Sequence, residues 1–232
     1  MGLSETRMVA TTKPYAPPRV RIVHSTRGRR LFGGGTSGNE QLTAATAVIL
    51  LVLFGVLGIT IVALTRLLWL HLFLGVLLVG PVALKLGSTG YRFMRYYTGN
   101  SAYRRKGPPH PAMRLLGPFV VLSTLAVFFT GLLLLIAGPG ASLALRDLHK
   151  LSFIAWIMAV GLHVLGHLME LPASLRAVSH QERRRHRLPG SQGRALAVIA
   201  ALAGGLLLAL AFLPLIDAWS AAGLFNPRYF HP

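Results

Sequence analysis

Hydrophobic residues in this chain fall in five long runs, with polar residues gathered between them rather than interleaved. The runs lie near Thr43–Thr65, Leu67–Gly87, Leu115–Ala137, Leu148–Glu170 and Ala195–Ile216. Each is long enough to cross a hydrocarbon core, which takes roughly 20 helical residues. The pattern predicts an all-α membrane protein: a five-helix transmembrane bundle over 42–218, behind an arm over 1–41 and ahead of a short tail over 219–232.

The gaps are as informative as the runs. Pro17-Pro18, Arg27-Gly28-Arg29-Arg30 and Gly33-Gly34-Gly35 make the arm read as disordered. Its polar length, about forty residues before the first apolar run, does not fit a signal peptide. Gly33–Gly38 lacks the lysine of a phosphate-binding loop and follows no strand, so it carries no nucleotide signal. The first two runs nearly touch, which predicts a tight hairpin turning at Thr65-Arg66. The second loop is expected to open with Tyr91, Arg92, Phe93, Arg95, Tyr96 and Tyr97, an aromatic and basic interfacial belt. It continues through Gly107-Pro108-Pro109-His110-Pro111, which breaks a helix. Gly138-Pro139-Gly140-Ala141 opens a short third loop. The fifth run, with Gly204-Gly205 and no internal polar residue, reads as a packing helix.

Charge orients this topology. The net charge is +18, with 24 Lys and Arg against six acidic residues. Twenty of the 24 fall in three blocks: before the first run, around the second loop including Lys85, and within Leu171–Arg194. All three blocks lie on one side of a five-span chain. A basic excess on one face marks the cytoplasmic side, so the N-terminus is expected inside and the C-terminus outside. Blocks arranged this way fit the lipid bilayer, with its anionic headgroups, rather than nucleic acid; a docking role for one loop is the alternative. The Arg-, Ala-, Leu- and Gly-rich composition reads as bacterial, and the expected location is the bacterial plasma membrane. With no cysteine, disulfides, iron–sulfur clusters, c-type haem attachment and thiolate chemistry are excluded.

Three histidines stand inside the apolar runs: His71 on the second, and His149 and His163 on the fourth. Polar groups in lipid-facing sequence are costly to bury and usually mark function. A lone membrane histidine either binds a haem or metal or makes an interhelical hydrogen bond. His149 and His163 are fourteen residues apart, close to four turns, which puts them near one helix face about 21 Å apart along the axis. That separation suits two haem irons stacked across a bilayer. Runs two and four have the same direction, so His71 and His149 are expected at equal depth near the outer surface, where two imidazoles can hold one haem between helices. Gly117 and Gly131 are also fourteen apart on the third run, and a glycine lets a flat macrocycle approach the backbone; Gly75 lies one turn from His71. Glycine is frequent in membrane helices, and helix contact is the competing reading.

This ligand pattern resembles the integral di-haem cytochrome b subunits of bacterial formate dehydrogenases and hydrogenases. The ferric-reductase-like transmembrane family has a similar scheme, with paired histidines thirteen or fourteen apart on two helices. The resemblance covers roughly Leu67 to Glu170. It implies a four-helix haem-binding core, haem b, single-electron transfer, and a quinone or redox protein partner at one membrane face. It assigns His71 and His149 to an outer haem and His163 to an inner one. The departure is Lys85, fourteen residues after His71, where the ferric-reductase-like pattern has histidine. Lys85 either reaches the inner headgroups or ligates iron or a haem propionate. His167, one turn past His163, shares its face and is a further candidate for the inner site or a proton path.

With no nucleotide or flavin motif, substrate chemistry would belong to a partner, and the reading is an electron-transfer subunit of an oxidoreductase. The rivals are a haem-free transporter lined by His163, His167 and Lys85, and a structural subunit whose histidines only pair helices. Reporter fusions are expected to place Met1 on the cytoplasmic face and Pro232 outside. Both termini on one face would overturn the five-span topology.

Overall fold

The computed structural model describes residues 35–105, 111–181 and 190–222, with the side chains of all of these except 111–113 and 167–181. Every regular element among them is a helix: α1 (Gly35–Val62), α2 (Leu64–Leu77), α3 (Val79–Tyr97), the single turn α4 (Ser101–Arg104), α5 (Pro111–Ala137), α6 (Leu143–Gln181), α7 (Ser191–Ala211) and α8 (Leu213–Ala222). Five stretches are long and apolar enough to cross a membrane: α1, α2 with α3 as one span, residues 114–137 of α5, residues 143–166 of α6, and α7. The protein is an all-α, multi-pass membrane protein. The bundle has a turn end, where Ala63 and residues 138–142 reverse the chain, and an arm end, where α1 and α7 begin.

The boundaries depart from the sequence expectation for identifiable reasons. The first reversal is at Ala63, whose carbonyl accepts the N–H groups of Arg66 (3.0 Å) and Leu67 (2.9 Å). The turn runs on to Leu67, whose backbone is also non-helical (φ −111°, ψ 20°), so Thr65-Arg66 lies inside the reversal as expected. The aromatic and basic belt expected in a loop is helical. Nothing in Gly87–Tyr97 stops α3, which ends where Gly99 takes the left-handed conformation (φ +87°). Gly138 (φ +79°) ends α5 in the same way, with Pro139 behind it. The α1 helix begins at Gly35, inside the stretch read as arm, and 1–34 lie outside the described residues. At the other end the helix breaks at Phe212, just ahead of Pro214, and α8 takes in 219–222 of the expected tail.

Pro81 sets the contact that holds the middle of the bundle. A proline cannot donate to the carbonyl four residues back and its ring crowds it, so the Leu77 carbonyl is left without its helical partner at the α2–α3 joint. In lipid such a group needs compensation from a neighbour. Gly205 of α7 lies directly against this carbonyl, close enough that a Cβ there would overlap the Leu77 oxygen; a Cβ on Gly80 would likewise overlap the Ala201 oxygen. Only hydrogens fit, and backbone-to-backbone approach of this kind permits Cα–H···O contacts.

Around this contact Leu50, Leu78 and Val82 form one buried cluster with Phe54 and Phe128 against it. A second cluster, Val76, Leu135, Ala209, Ile216 and Trp219, joins α2, α5, α7 and α8 toward the turn end. There Trp219 Nε1 donates to the Leu135 carbonyl (3.2 Å) and Trp69 Nε1 to Asp217 (2.8 Å). The α6 helix packs on α5 and reaches α1 through Trp156, whose ring is 4.8 Å from that of Phe54.

Gly205→Leu is expected to destabilise the fold by about 1–3 kcal/mol, the usual cost of overpacking. Gly58→Ala, whose Cβ meets nothing within 4 Å, should be silent. Chemical unfolding midpoints in detergent compare the two; equal midpoints would remove the α3–α7 contact from its central role.

Candidate functional site

The α1–α2 hairpin carries the first half of the candidate site. Thr60 is 1% exposed, in the last turn of α1. Its hydroxyl donates to the Leu57 carbonyl at 2.5 Å. It also stands 2.9 Å from His71 Nδ1. A hydroxyl has one hydrogen, and this one is given to Leu57, so the second contact has Nδ1–H donating to Thr60. His71 is then the tautomer whose Nε2 carries the lone pair.

The α5–α6 hairpin repeats the arrangement with different residues. Thr130 is 5% exposed and its hydroxyl donates to the Ala126 carbonyl at 2.8 Å. His149 Nδ1 lies 3.1 Å from the same oxygen, which can accept an Nδ1–H. Ser152 Oγ is 2.9 Å from Thr130 Oγ1 and donates to the His149 carbonyl at 2.8 Å. His149 therefore also presents Nε2 as its free lone pair. Neutral imidazoles whose Nδ1–H is held by an acceptor are the form that ligates a metal through Nε2.

Both halves lie toward the turn end, with His71 and His149 each within the first eight residues of its helix. Both rings are half-buried, on helices that run in the same direction. A Cβ on Gly131 would lie 3.0 Å from His149 Cε1, so the glycine gives room to the imidazole. At Gly117 and Gly75 a Cβ would meet nothing within 4 Å. The two glycines of α5 are thus not equivalent seats.

At the arm end Lys85 and His163 have separate surroundings. Lys85 Nζ donates to the Thr43 carbonyl of α1 at 2.9 Å. Ser88 Oγ, one turn on, donates to the Lys85 carbonyl (3.0 Å) and lies 3.2 Å from Thr43 Oγ1. The lysine thus serves an α1–α3 polar cluster and makes no contact with His163. His163 is half-buried on α6, with Nδ1 buried. His167 lies on α6, but its side chain is outside the described residues. Among the described residues no three His, Cys, Asp or Glu side chains stand together.

Sequence reasoning missed Thr60, Thr130, Ser152 and Trp156. Trp156 had a signal: it lies seven residues from both His149 and His163, hence on their face, and its Nε1 donates to Thr124 Oγ1 at 3.2 Å. For the threonines the signal was only a hydroxyl inside an apolar run. Comparison of the chain with protein-family models, with curated proteins and with solved structures finds no match.

Nitrogen NMR of histidine-labelled protein is expected to show His71 and His149 protonated at Nδ1 and unprotonated at Nε2. Gly131→Val should displace the His149 ring and disturb its signal, whereas Gly117→Val should not. A protonated Nε2 at either histidine would overturn the hydrogen-bond assignment.

Proposed function

We propose that the protein is a membrane b-type cytochrome that passes single electrons between a redox partner or quinone and an associated oxidoreductase. His71 and His149 would hold a haem b at the turn end. The observation that carries this reading is the matched pair of imidazoles, one from each hairpin, each with Nδ1–H on a buried threonine and Nε2 presented. A donor set of two neutral imidazoles fits haem iron. When bound, haem supplies reversible one-electron chemistry, and two strong axial ligands keep that chemistry to electron transfer. Thr60 and Thr130 keep each ring in the ligating tautomer and hold its plane. The apolar helices around the pair exclude water. From the division of basic residues, the turn end faces outward and the arm end the cytoplasm. His163 is the candidate holder of a second haem at the arm end. Lys85 is left out of that assignment because its amine is already hydrogen-bonded to α1.

The same contacts support a second reading. Interhelical hydrogen bonds in membranes average about 0.6 kcal/mol each and reach about 1.7, so His71 with Thr60 and His149 with Thr130 clamp two hairpins without any cofactor. In that case the protein is a structural membrane subunit.

A reduced-minus-oxidised absorbance spectrum of the purified protein separates the two. The cytochrome reading expects the bands of a low-spin b-type haem, and His71→Ala or His149→Ala should each remove one haem equivalent or convert it to high spin. Thr60→Val and Thr130→Val should keep the haem and shift its midpoint potential. A haem-free protein, or a spectrum unchanged in both alanine variants, returns the histidines to helix pairing.

A further inference from the structure

The α8 helix crosses the turn end and touches both hairpins. It leaves α7 at the Phe212 break, and Ile216 and Trp219 enter the buried cluster beside Val76 of α2 and Leu135 of α5. Trp219, 3% exposed, donates from Nε1 to the Leu135 carbonyl at 3.2 Å. That carbonyl lies in the last turn of α5, where a helix leaves its own acceptors without helical donors, and it also accepts the Gly138 N–H at 3.3 Å. The Arg146 guanidinium of α6 sits over the Trp219 indole, 5.2 Å from the ring centre. Asp217 accepts the Trp69 Nε1–H of α2 at 2.8 Å, and Phe73 stacks on that indole at 5.0 Å. Asp217 and Trp219 thus engage α2, α5 and α6.

We propose that α8 is a brace that sets the separation of the two histidine-bearing hairpins, with Trp219 and Asp217 as positioning residues for the His71–His149 pair. Each contact falls close to the site. Trp69 is two residues before His71, Arg146 three before His149, and Leu135 four after Gly131, which gives His149 its room. Between lipid-embedded helices apolar burial supplies little drive, because lipid is as apolar as the side chains. Directional contacts therefore decide the register. An indole N–H meets a carbonyl or carboxylate at good geometry only when both helices are in place, and a buried donor moved away is left unsatisfied. Trp219 adds a cation over its ring face, which ties α6 to the same residue. The spacing itself rests on the fold. Its consequence at iron rests on the cytochrome reading, in which two imidazoles must reach opposite sides of one haem.

The chain has no cysteine, so Thr65→Cys on α2 and Lys150→Cys on α6, both exposed, take spin labels at those two sites alone. Pulsed dipolar spectroscopy of the full chain in nanodiscs should give one narrow distance distribution. Trp219→Phe, which keeps a ring and removes the donor, should shift or broaden it, and so should Asp217→Leu. Asp217→Asn, which keeps an acceptor oxygen, should restore it. Asp217 is exposed, so its variants carry the test if Trp219→Phe does not fold. Leu50→Ala, in the mid-bundle cluster, should lower the unfolding midpoint and leave the distribution as in wild type. Where haem is bound, Trp219→Phe and Asp217→Leu should also shift its midpoint potential, and Asp217→Asn should not. Distributions unchanged in both Trp219→Phe and Asp217→Leu would overturn the brace, as would Leu50→Ala moving the distance as far as they do. A haem-free protein whose distances still respond would sink the cytochrome reading and leave the brace standing.

Discussion

A hydroxyl buried in an apolar span has one hydrogen to place, and in this chain the backbone of its own helix takes it. Thr60 gives its hydrogen to Leu57 and Thr130 gives its own to Ala126. What remains on each oxygen is acceptor capacity, and the nearest donor able to use it is an imidazole Nδ1–H on the next helix. The need to satisfy every polar group internally, which governs all membrane proteins, thereby determines which nitrogen of each histidine faces away. The resulting chemistry at Nε2 follows from a packing rule before any ligand is considered.

The bundle's middle obeys the same rule with backbone instead of side chains. Pro81 deprives the Leu77 carbonyl of its helical donor, and Gly205 brings a backbone of hydrogens against it. The close approach of α3 and α7 falls where the proline removes a backbone donor. At the arm end α7 also meets α1, where Arg194 donates to Gln41.

Much of this architecture was legible in the sequence, because apolar length and the placing of basic residues are local properties. All five spans stood out, and the matched depth of His71 and His149 followed from helix direction. The turns were displaced where hydropathy is blind to backbone chemistry. Tyr91–Tyr97 is polar yet free of any helix breaker, so the helix runs on through it. The threonine partners were hidden because Thr60 meets His71 across eleven residues and Thr130 meets His149 across nineteen. Those separations depend on turn lengths that composition does not state. Lys85 was at the expected height, but only the structure shows its amine committed to Thr43. The room that Gly131 leaves for the His149 ring depends on the docking of α5 on α6, which spacing along one helix does not state.

Each threonine–histidine pair lies within one helical hairpin, α1 with α2 and α5 with α6. This has a consequence for biogenesis. Helical hairpins insert into a bilayer as units, and each here closes its own hydrogen bond without help from the other. The orientation of His71 is therefore set before α5 and α6 emerge, and that of His149 before the second hairpin docks. Each imidazole is thus held within its own hairpin, independently of how the hairpins meet.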